Sequence, residues 1–301
     1  MARVSVIVRT KDRPWFLARA LKDIAAQTFE TPEVVVVNDG GDQATAESVV
    51  SQSPLSGRAR LVHIAPGEGG RCRAANEGVA ASTGEYLVLH DDDDLWQPGF
   101  LARSVEWLEQ HPGDIGVMCR TEIMYERLVE GRWTEVDRVP FWRDLTHISL
   151  TEMLEVNRAV PISFLYRARA HEEVGGYDES LDAVEDWEFS LRLLARHTIG
   201  FLPETLAVWT QRPSAAGSEA NSMFALAGEH RRDDTTVRDR ELREWITREG
   251  PGLPLMIAGE FARLRADLED VLVRELDRRN PFTALARRAV HSWKRRRGTR
   301  A

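Results

Sequence analysis

Apolar and polar stretches alternate along the first hundred residues in a way that predicts strand, helix, strand, helix. Short runs rich in β-branched residues predict buried strands at residues 4–8, 33–37, 60–64 and 86–89. Apolar residues at helical spacing predict helices at 14–27, 44–51 and 72–81. This order indicates an α/β fold with a mostly parallel sheet flanked by helices, in which ligands bind outside the carboxyl ends of the strands.

The pattern is less regular after residue 99. It predicts a helix at 100–110, strands near 116–125 and 162–167, a helix at 187–196, and a helical region from about residue 224. Residues 135–151 have no clear period and carry Trp142, which suggests an insertion. Residues 211–223 are small and polar, which predicts a mobile loop.

Four adjacent carboxylates follow the strand predicted at 86–89: Asp91, Asp92, Asp93 and Asp94. Like charges repel, and a bound cation is the usual way to offset that repulsion. Ligands that are all oxygen favour a hard ion such as Mg²⁺ or Mn²⁺. The alternative is a solvated acidic turn, the common fate of a charge run.

Two further acidic sites have a predicted position in this fold. Asp39 ends the second strand, at the same edge as the four carboxylates, and can accept a hydrogen bond from the ring N–H of uracil or thymine; the alternative is a turn-stabilising Asp. Glu185 and Asp186 stand at a predicted helix start, where the helix dipole favours an ionised carboxylate that can deprotonate a hydroxyl. Ordinary helix capping is the alternative there.

Other nucleotide and metal motifs are missing from the sequence. The acidic run lacks the Asp-x-Asp-x-Thr/Val order of phosphoaspartate chemistry and the glycine of an EF-hand loop. There is no Gly-x-x-x-x-Gly-Lys phosphate loop, and no Gly-x-Gly-x-x-Gly opens the first helix.

Five segments together resemble family 2 glycosyltransferases with the GT-A fold, over residues 3 to about 225. The opening run 4–14 is similar to the family's Val-Ser-Val-Ile-x-Pro-Thr-Tyr-Asn-Arg start, and 25–29 contains its Gln-Thr pair. Residues 75–78 resemble Ala-Arg-Asn-x-Gly, 91–96 match Asp-x-Asp-Asp-x-Trp, and Glu185-Asp186 match the acid pair. The chain departs from the family in Arg9-Thr10-Lys11-Asp12, in Asn38 and in Ala75, for which Arg71 and Arg73 are nearby substitutes.

The resemblance implies a role for each of these residues. Asp186 would be the catalytic base, with Glu185 beside it; Asp93 would be the principal ligand of Mn²⁺ or Mg²⁺, assisted by Asp91. We expect the nucleotide sugar to be bound by Arg9, Thr10, Asp12, Asp39, Arg71, Asn76, Asp91, Asp92 and Arg212; the alternative for Arg9 is that it only faces Asp12 or Asp39. Arg212 and the loop up to Asn221 would close over the diphosphate, and His230 is a candidate metal ligand whose alternative is a structural histidine.

Composition sets the expected compartment and partners. Two cysteines, Cys72 and Cys119, provide no disulfide framework, and no run is apolar enough to span a membrane, so we expect a cytoplasmic protein. Seven basic residues and no acid follow residue 284, although the whole chain has a net charge of −8. The acidic body argues against nucleic acid. The basic tail suits the inner face of a membrane, a polyanionic partner or a solvated end.

The sequence therefore predicts an inverting transfer of a sugar from a nucleoside diphosphate, UDP or TDP favoured, to a hydroxyl acceptor in a glycan, lipid-linked or small molecule. The predicted domains are residues 1–225, divided into a donor half (1–115) and an acceptor half (116–225), and a helical extension over 226–301. Apolar residues at steps of three and four between Phe261 and Leu276 either pack on the body or form a homodimer. Alternatives are a sugar nucleotidyltransferase and a catalytically silent nucleotide-binding protein.

Overall fold

The computed structural model describes residues 3–280, and the predicted basic tail lies outside them. The chain divides into two compact units, Met1–Thr236 and Val237–Ala301, whereas the sequence predicts a boundary near residue 225. The strands are β1 (Val4–Thr10), β2 (Glu33–Asp39), β3 (Ala59–Ile64), β4 (Tyr86–Asp91), β5 (Leu95–Trp96), β6 (Asp114–Val129), β7 (Arg132–Phe141), β8 (Phe164–Arg167) and β9 (Thr198–Gln211).

Ten α-helices lie within the described residues. They are α1 (Pro14–Ala25), α2 (Gln43–Gln52), α3 (Arg71–Ala81), α4 (Phe100–Gln110), α5 (Leu150–Glu155), α6 (Arg169–Val174), α7 (Glu185–Leu194), α8 (Ser222–Ala225), α9 (Ala227–Glu249) and α10 (Gly252–Arg279). In this part of the chain no helix is both long and apolar enough to cross a membrane.

The strands form one mixed sheet in the order β3-β2-β1-β4-β8-β6-β9-β5, with β7 paired to β6. The first four strands are parallel, as predicted. Their carboxyl ends therefore meet at one edge, which brings residue 10, Asp39 and Asp91 together. Strand β8 is antiparallel to both β4 and β6, so the second half of the sheet is mixed.

The helix predicted after the first strand shows why these segments fold as they do. Pro14 begins α1, where a missing N–H costs nothing. Phe16, Leu17, Ala20, Leu21 and Ile24 then recur on one face and are all buried, and the last four pack in the core with the apolar residues of β1 and β2. This helix fixes the loop between residue 10 and Pro14 at the edge of the sheet.

Three strands were not predicted: β7, β9 and the two-residue β5. β7 is mostly exposed, so it has no alternating apolar face, and β9 has an irregular burial pattern with shifts in its register against β6. β9 nevertheless matters for the site, because Thr210 near its end donates hydrogen bonds to Asp93 and Asp94 of the acidic turn after β4.

Candidate active site

A cleft of about 490 Å³ lies in the first unit at the carboxyl ends of the parallel strands. Its lining unites residues from distant parts of the sequence: Arg9, Thr10, Lys11, Asp12, Arg13, Asp39, Arg71, Ala74, Asp91, Asp92, Asp93, Asp94, Trp209 and residues between 217 and 226. Eight of the predicted donor-site and metal-site residues are therefore neighbours, and the geometry is that expected of a ligand site in an open α/β sheet.

Asp39 is held at the cleft by the glycine-rich turn that precedes α3. Its Oδ1 accepts a hydrogen bond of 2.8 Å from the Gly70 N–H. A Cβ at Gly69 would overlap the Asp39 carboxylate, so this position requires glycine. The turn thereby fixes the orientation of the carboxylate predicted to read the nucleotide base.

We expect Gly69→Ala to weaken nucleotide binding, because the added methyl must displace Asp39. Overpacking of this kind typically costs about 1–3 kcal/mol, measurable as a higher Kd for UDP by calorimetry. Gly113→Ala is the matched control, since a Cβ there meets no atom and the backbone is not left-handed. Equal UDP affinities in the two variants would contradict the role of this turn.

Arginines neutralise the acidic turn after β4. Arg9 bonds both oxygens of Asp91, at 2.8 and 3.0 Å. Asp92 is bound by Arg13 and by the Thr10 hydroxyl, the latter at 2.7 Å. Although burial opposes ionisation of Asp93, the nearby Arg13 and Arg212 lower its pKa. The repulsion for which the sequence predicts a metal ion is thus offset here largely by guanidinium groups.

Asp94 differs from its neighbours because no arginine within residues 3–280 is bonded to it. Its Oδ1 accepts the Thr210 N–H at 2.8 Å. Burial, together with the charges of Asp93 and Asp91, raises the pKa of Asp94 well above its usual range. Its carboxyl group therefore holds its proton to a higher pH than an exposed carboxyl group does.

The carboxylates as placed do not fit the predicted metal site. Oδ1 of Asp93 is 3.1 Å from Arg13 Nη2, and its Oδ2 contacts Arg212 and, at 3.1 Å, Asn221 Nδ2. Among residues 3–280, no three His, Cys, Asp or Glu side chains are arranged to hold a metal ion. His230, the other candidate ligand, has a buried Nε2 without a hydrogen-bond partner in that same stretch. Metal binding stays a prediction.

The acid pair begins α7, and the pKa values of its two carboxyl groups are shifted in opposite directions. Glu185 is buried and ion-paired with Arg9 at 3.0 Å and with Arg71 at 2.9 Å. Burial opposes its charge, but these two arginines lower its pKa. Asp186 accepts a 3.0 Å hydrogen bond from Asn157 Nδ2. Burial and the Glu185 charge raise the pKa of Asp186 to about 6, so its place at a helix start does not keep that pKa low.

Arg9 joins the two halves of this site. Besides Asp91, its guanidinium bonds the Arg71 carbonyl at 3.1 Å and Glu185 at 3.0 Å, and only 6% of the residue is exposed. The ends of β1 and β4 and the starts of α3 and α7 therefore meet at one side chain. Arg9 lines the cleft as predicted, but its donors are already bonded to protein atoms.

Two residues predicted to bind the nucleotide sugar lie outside the cleft lining. Asn76 holds the turn before α7, through Tyr177 and Glu179, at 2.8–2.9 Å. Arg212 is fully buried and bonds Asp93, Glu126 and Thr210. In this structure it therefore supports the acidic turn without lining the cleft. Asp12 lines the cleft and accepts the Asp42 N–H at 2.8 Å.

Two polar residues that contact these acids are not identified by the sequence analysis. Arg13 lies in the opening run 4–14 without a predicted role, although in the structure it binds the acidic turn. Asn157, in a segment with no local motif, is bonded to Asp186. Only the fold brings Asn157 near α7, so no sequence signal marks it.

Comparisons with known proteins agree with this architecture. The Glycosyl transferase family 2 profile matches residues 5–175. YwdF of Bacillus subtilis, an uncharacterized glycosyltransferase, is 28% identical over 67% of this chain and 71% of its own length. Among solved structures, S. aureus TarS 1-349 with UDP-GlcNAc has a TM-score of 0.54 at 19% identity, covering 83% of this chain and 75% of that one.

A second structural neighbour is the mannosyltransferase PcManGT of Pyrobaculum calidifontis, solved with GDP-Man and Mn²⁺. Its TM-score is 0.51 at 21% identity, over 69% of this chain and 56% of that one. At such identities the structures establish the fold, while the profile match covers more than half of the chain. The chain thus belongs to glycosyl transferase family 2 and has the GT-A fold.

Proposed function

We propose that this glycosyltransferase moves a sugar from a nucleoside diphosphate, UDP or TDP favoured, to a hydroxyl acceptor with inversion at the anomeric carbon. The observation that carries the proposal is the single network joining the cleft to the acid pair, in which Arg9 and Arg71 contact both Asp91 and Glu185. The UDP-GlcNAc and GDP-Man bound to the structural neighbours support a nucleotide-sugar donor.

The donor would lie along the cleft from Asp39 to the acidic turn. Asp39 would accept the ring N–H of the base, and Lys11 and Arg71 would face the diphosphate. Both cations line the cleft, and 26% of the Arg71 side chain is exposed. An acceptor oxygen would then attack the anomeric carbon from the side opposite the diphosphate.

Asp186 would be the general base of this step. The acceptor C–O bond to the sugar forms while the bond from the sugar to the diphosphate breaks. The hydroxyl proton passes to Asp186, and the nucleoside diphosphate leaves as an anion. General-base assistance typically contributes about 10²–10⁴-fold to the rate, provided that the carboxylate is deprotonated.

We expect kcat to fall as the pH drops through about 6, because the pKa of Asp186 is raised to about 6 and the base must be ionised. Above that pH the carboxylate is ionised and this limb of the profile is flat. Measuring kcat at saturating donor over a range of pH gives the pKa at which the rate falls. A rate that stays constant down to about pH 4.5, well below that pKa, would contradict Asp186 as the titrating base.

The metal requirement is a separate prediction. A divalent ion would stabilise charge on the leaving diphosphate as a Lewis acid, and PcManGT was solved with Mn²⁺. Because every oxygen of Asp91 and Asp93 already contacts an arginine or an amide, no step of the mechanism above is assigned to a metal.

The acceptor side is proposed to be the segment between β7 and β8, since its Asn157 bonds Asp186. Arg158, the next residue, stacks over Trp142 with its guanidinium carbon 4.6 Å from the ring centroid. Trp142 packs against Phe141, which in turn contacts Trp209 of the cleft. This aromatic series extends from the base towards the donor site and suits a sugar ring.

We expect Trp142→Ala to raise the acceptor KM about tenfold and to leave the donor KM unchanged, because the loss of one ring contact costs about 1.4 kcal/mol. Initial rates with each substrate varied separately measure both constants. Trp15→Ala, which removes a comparable Trp–Arg stack on α1, is the control. A larger effect on the donor KM than on the acceptor KM would be inconsistent with an acceptor site here.

The donor test is release of free nucleotide from a panel of UDP-, TDP- and GDP-sugars, with Mn²⁺ or with excess chelator. Sugar transfer with nucleoside diphosphate as product supports the proposal. Pyrophosphate-dependent formation of nucleoside triphosphate would indicate a sugar nucleotidyltransferase, and binding without turnover a silent nucleotide-binding protein. Full activity in chelator would exclude the metal requirement.

The cellular setting proposed for this activity is polysaccharide, glycolipid or other glycoconjugate assembly in the cytoplasm, without nucleic acid. Peripheral membrane contact would come from the seven basic residues after residue 284, which lie outside the described residues. In a variant in which these residues are neutralised, we expect activity to be retained and vesicle binding to be lost.

A further inference from the structure

The second unit contains an apolar stripe along α10. At about 100° per residue, seven large apolar side chains lie within an arc of about 100° on this helix. They are Leu253, Ile257, Phe261, Leu264, Leu268, Val271 and Leu272. Each is between 42% and 66% exposed, and no residue of 237–280 covers this stripe.

The spacing within the stripe is that of paired helices. From Ile257 to Val271 the apolar steps alternate four, three, four and three, which is the a/d repeat of a coiled-coil seam. A helix of 28 residues is about 42 Å long. The stripe is therefore long enough for a second helix to lie along it for several turns.

Charges on the remaining surface of α10 argue for an aqueous partner. Outside the arc of the stripe the helix has five acidic residues and four arginines, and pairs such as Arg263 with Glu260 connect them. Helices that lie in a membrane interface have a polar face rich in Lys and Arg. A surface with both signs in near balance is instead typical of the flanks of a coiled coil.

The area of the stripe matches a modest protein interface. A Leu-sized side chain buries about 60–120 Å² when it is covered. Seven such side chains from each of two copies give about 800–1,700 Å², against about 1,200–2,000 Å² for a standard interface. Because a two-fold interface uses the same patch on both subunits, one stripe is sufficient for self-association.

We propose that a second copy of this chain covers the stripe, so that the protein is a homodimer through paired α10 helices. The seam is short, and we expect micromolar affinity. The dimer would place two copies of the glycosyltransferase domain in one particle. The inference is independent of the donor, acceptor and mechanism proposed above.

Sedimentation velocity of the full chain between about 1 and 100 µM, the range around a micromolar Kd, tests the proposal. We expect a concentration-dependent species of twice 34.1 kDa for the wild type, and a monomer for the double variant Leu264→Glu/Leu268→Glu. The matched control is Leu255→Glu/Val273→Glu, which adds the same charges opposite the stripe and is expected to dimerise. A monomeric wild type, or dimers that persist in Leu264→Glu/Leu268→Glu, would overturn the proposal.

A cross-linking measurement covers the case in which the glutamates unfold the helix. Leu264→Cys, near the middle of the stripe, should form a disulfide-linked dimer on mild oxidation, whereas Val273→Cys should not. The native cysteines, Cys72 and Cys119, are both buried and do not compete. Equal cross-linking of the two variants would count against the pairing. So would a monomeric wild type that binds phosphatidylglycerol vesicles through the same leucines.

Discussion

Asp186→Asn should lower kcat by about 10²–10⁴-fold, the usual contribution of a general base, while UDP still binds. The amide keeps the size of the side chain but cannot take the acceptor proton. Binding should persist because Asp186 does not line the donor cleft. Steady-state rates and UDP calorimetry, on variants whose melting temperatures match the wild type, measure the two effects.

Asp182→Asn is the control for this substitution. It makes the same chemical change in the turn just before α7, where the carboxylate is exposed and paired with Arg232. We expect near wild-type turnover from it. If Asp186→Asn turned over as fast as Asp182→Asn, another group would have to be the base.

Arg9→Met should destabilise the fold by about 3–5 kcal/mol, the typical cost of removing one partner of a buried ion pair. Two buried or partly buried carboxylates, Asp91 and Glu185, would lose the more buried of the two arginines that they share within residues 3–280, and only Arg71 of that stretch would still contact both. Activity should fall as well, because the end of β4 and the start of α7 would lose their more buried common contact. Chemical denaturation and kcat report the two losses separately.

Arg9→Lys and Arg103→Met provide the comparison. A lysine retains the charge but cannot form the forked contacts of a guanidinium, so its stability should lie between those of the wild type and Arg9→Met. Arg103 has ion pairs with Glu106 and Glu204 at the exposed surface, where such pairs contribute little. A stability loss for Arg9→Met no larger than that for Arg103→Met would show that the buried network is not needed.

The first half of the fold was predictable because β1, β2 and β4 are buried on both faces and α1 has one apolar face, whereas the edge strand β3 is largely accessible and was recognised by its short apolar run. Residues 4–8, 33–37, 60–64 and 86–89 all lie in strands of the parallel part of the sheet. β7 was not predictable in the same way, since its side chains are mostly exposed and its pairing with β6 stabilises it without an apolar pattern.

The candidate site was predictable in position more than in chemistry. Asp39 and the acidic turn converge because parallel strands end at one edge, a property of the topology. The partners of the carboxylates were not predictable, because Arg212 is 119 positions away from Asp93 along the chain and Arg9 is 176 from Glu185. Such pairings arise only when β9 and α7 are in place, and sequence spacing contains no information on them.

The arginine pairing of the acidic turn has a consequence for ligand binding. Five arginines already contact its carboxylates and those of Glu126 and Glu185, so Lys11 and the exposed part of Arg71 provide most of the positive charge that the cleft offers an arriving diphosphate. A dianion or trianion entering the cleft must therefore be accompanied by protons or cations from solution. Donor affinity should then be thermodynamically linked to the uptake of these ions, and the heat of UDP binding should vary with the ionisation enthalpy of the buffer if protons are the species taken up.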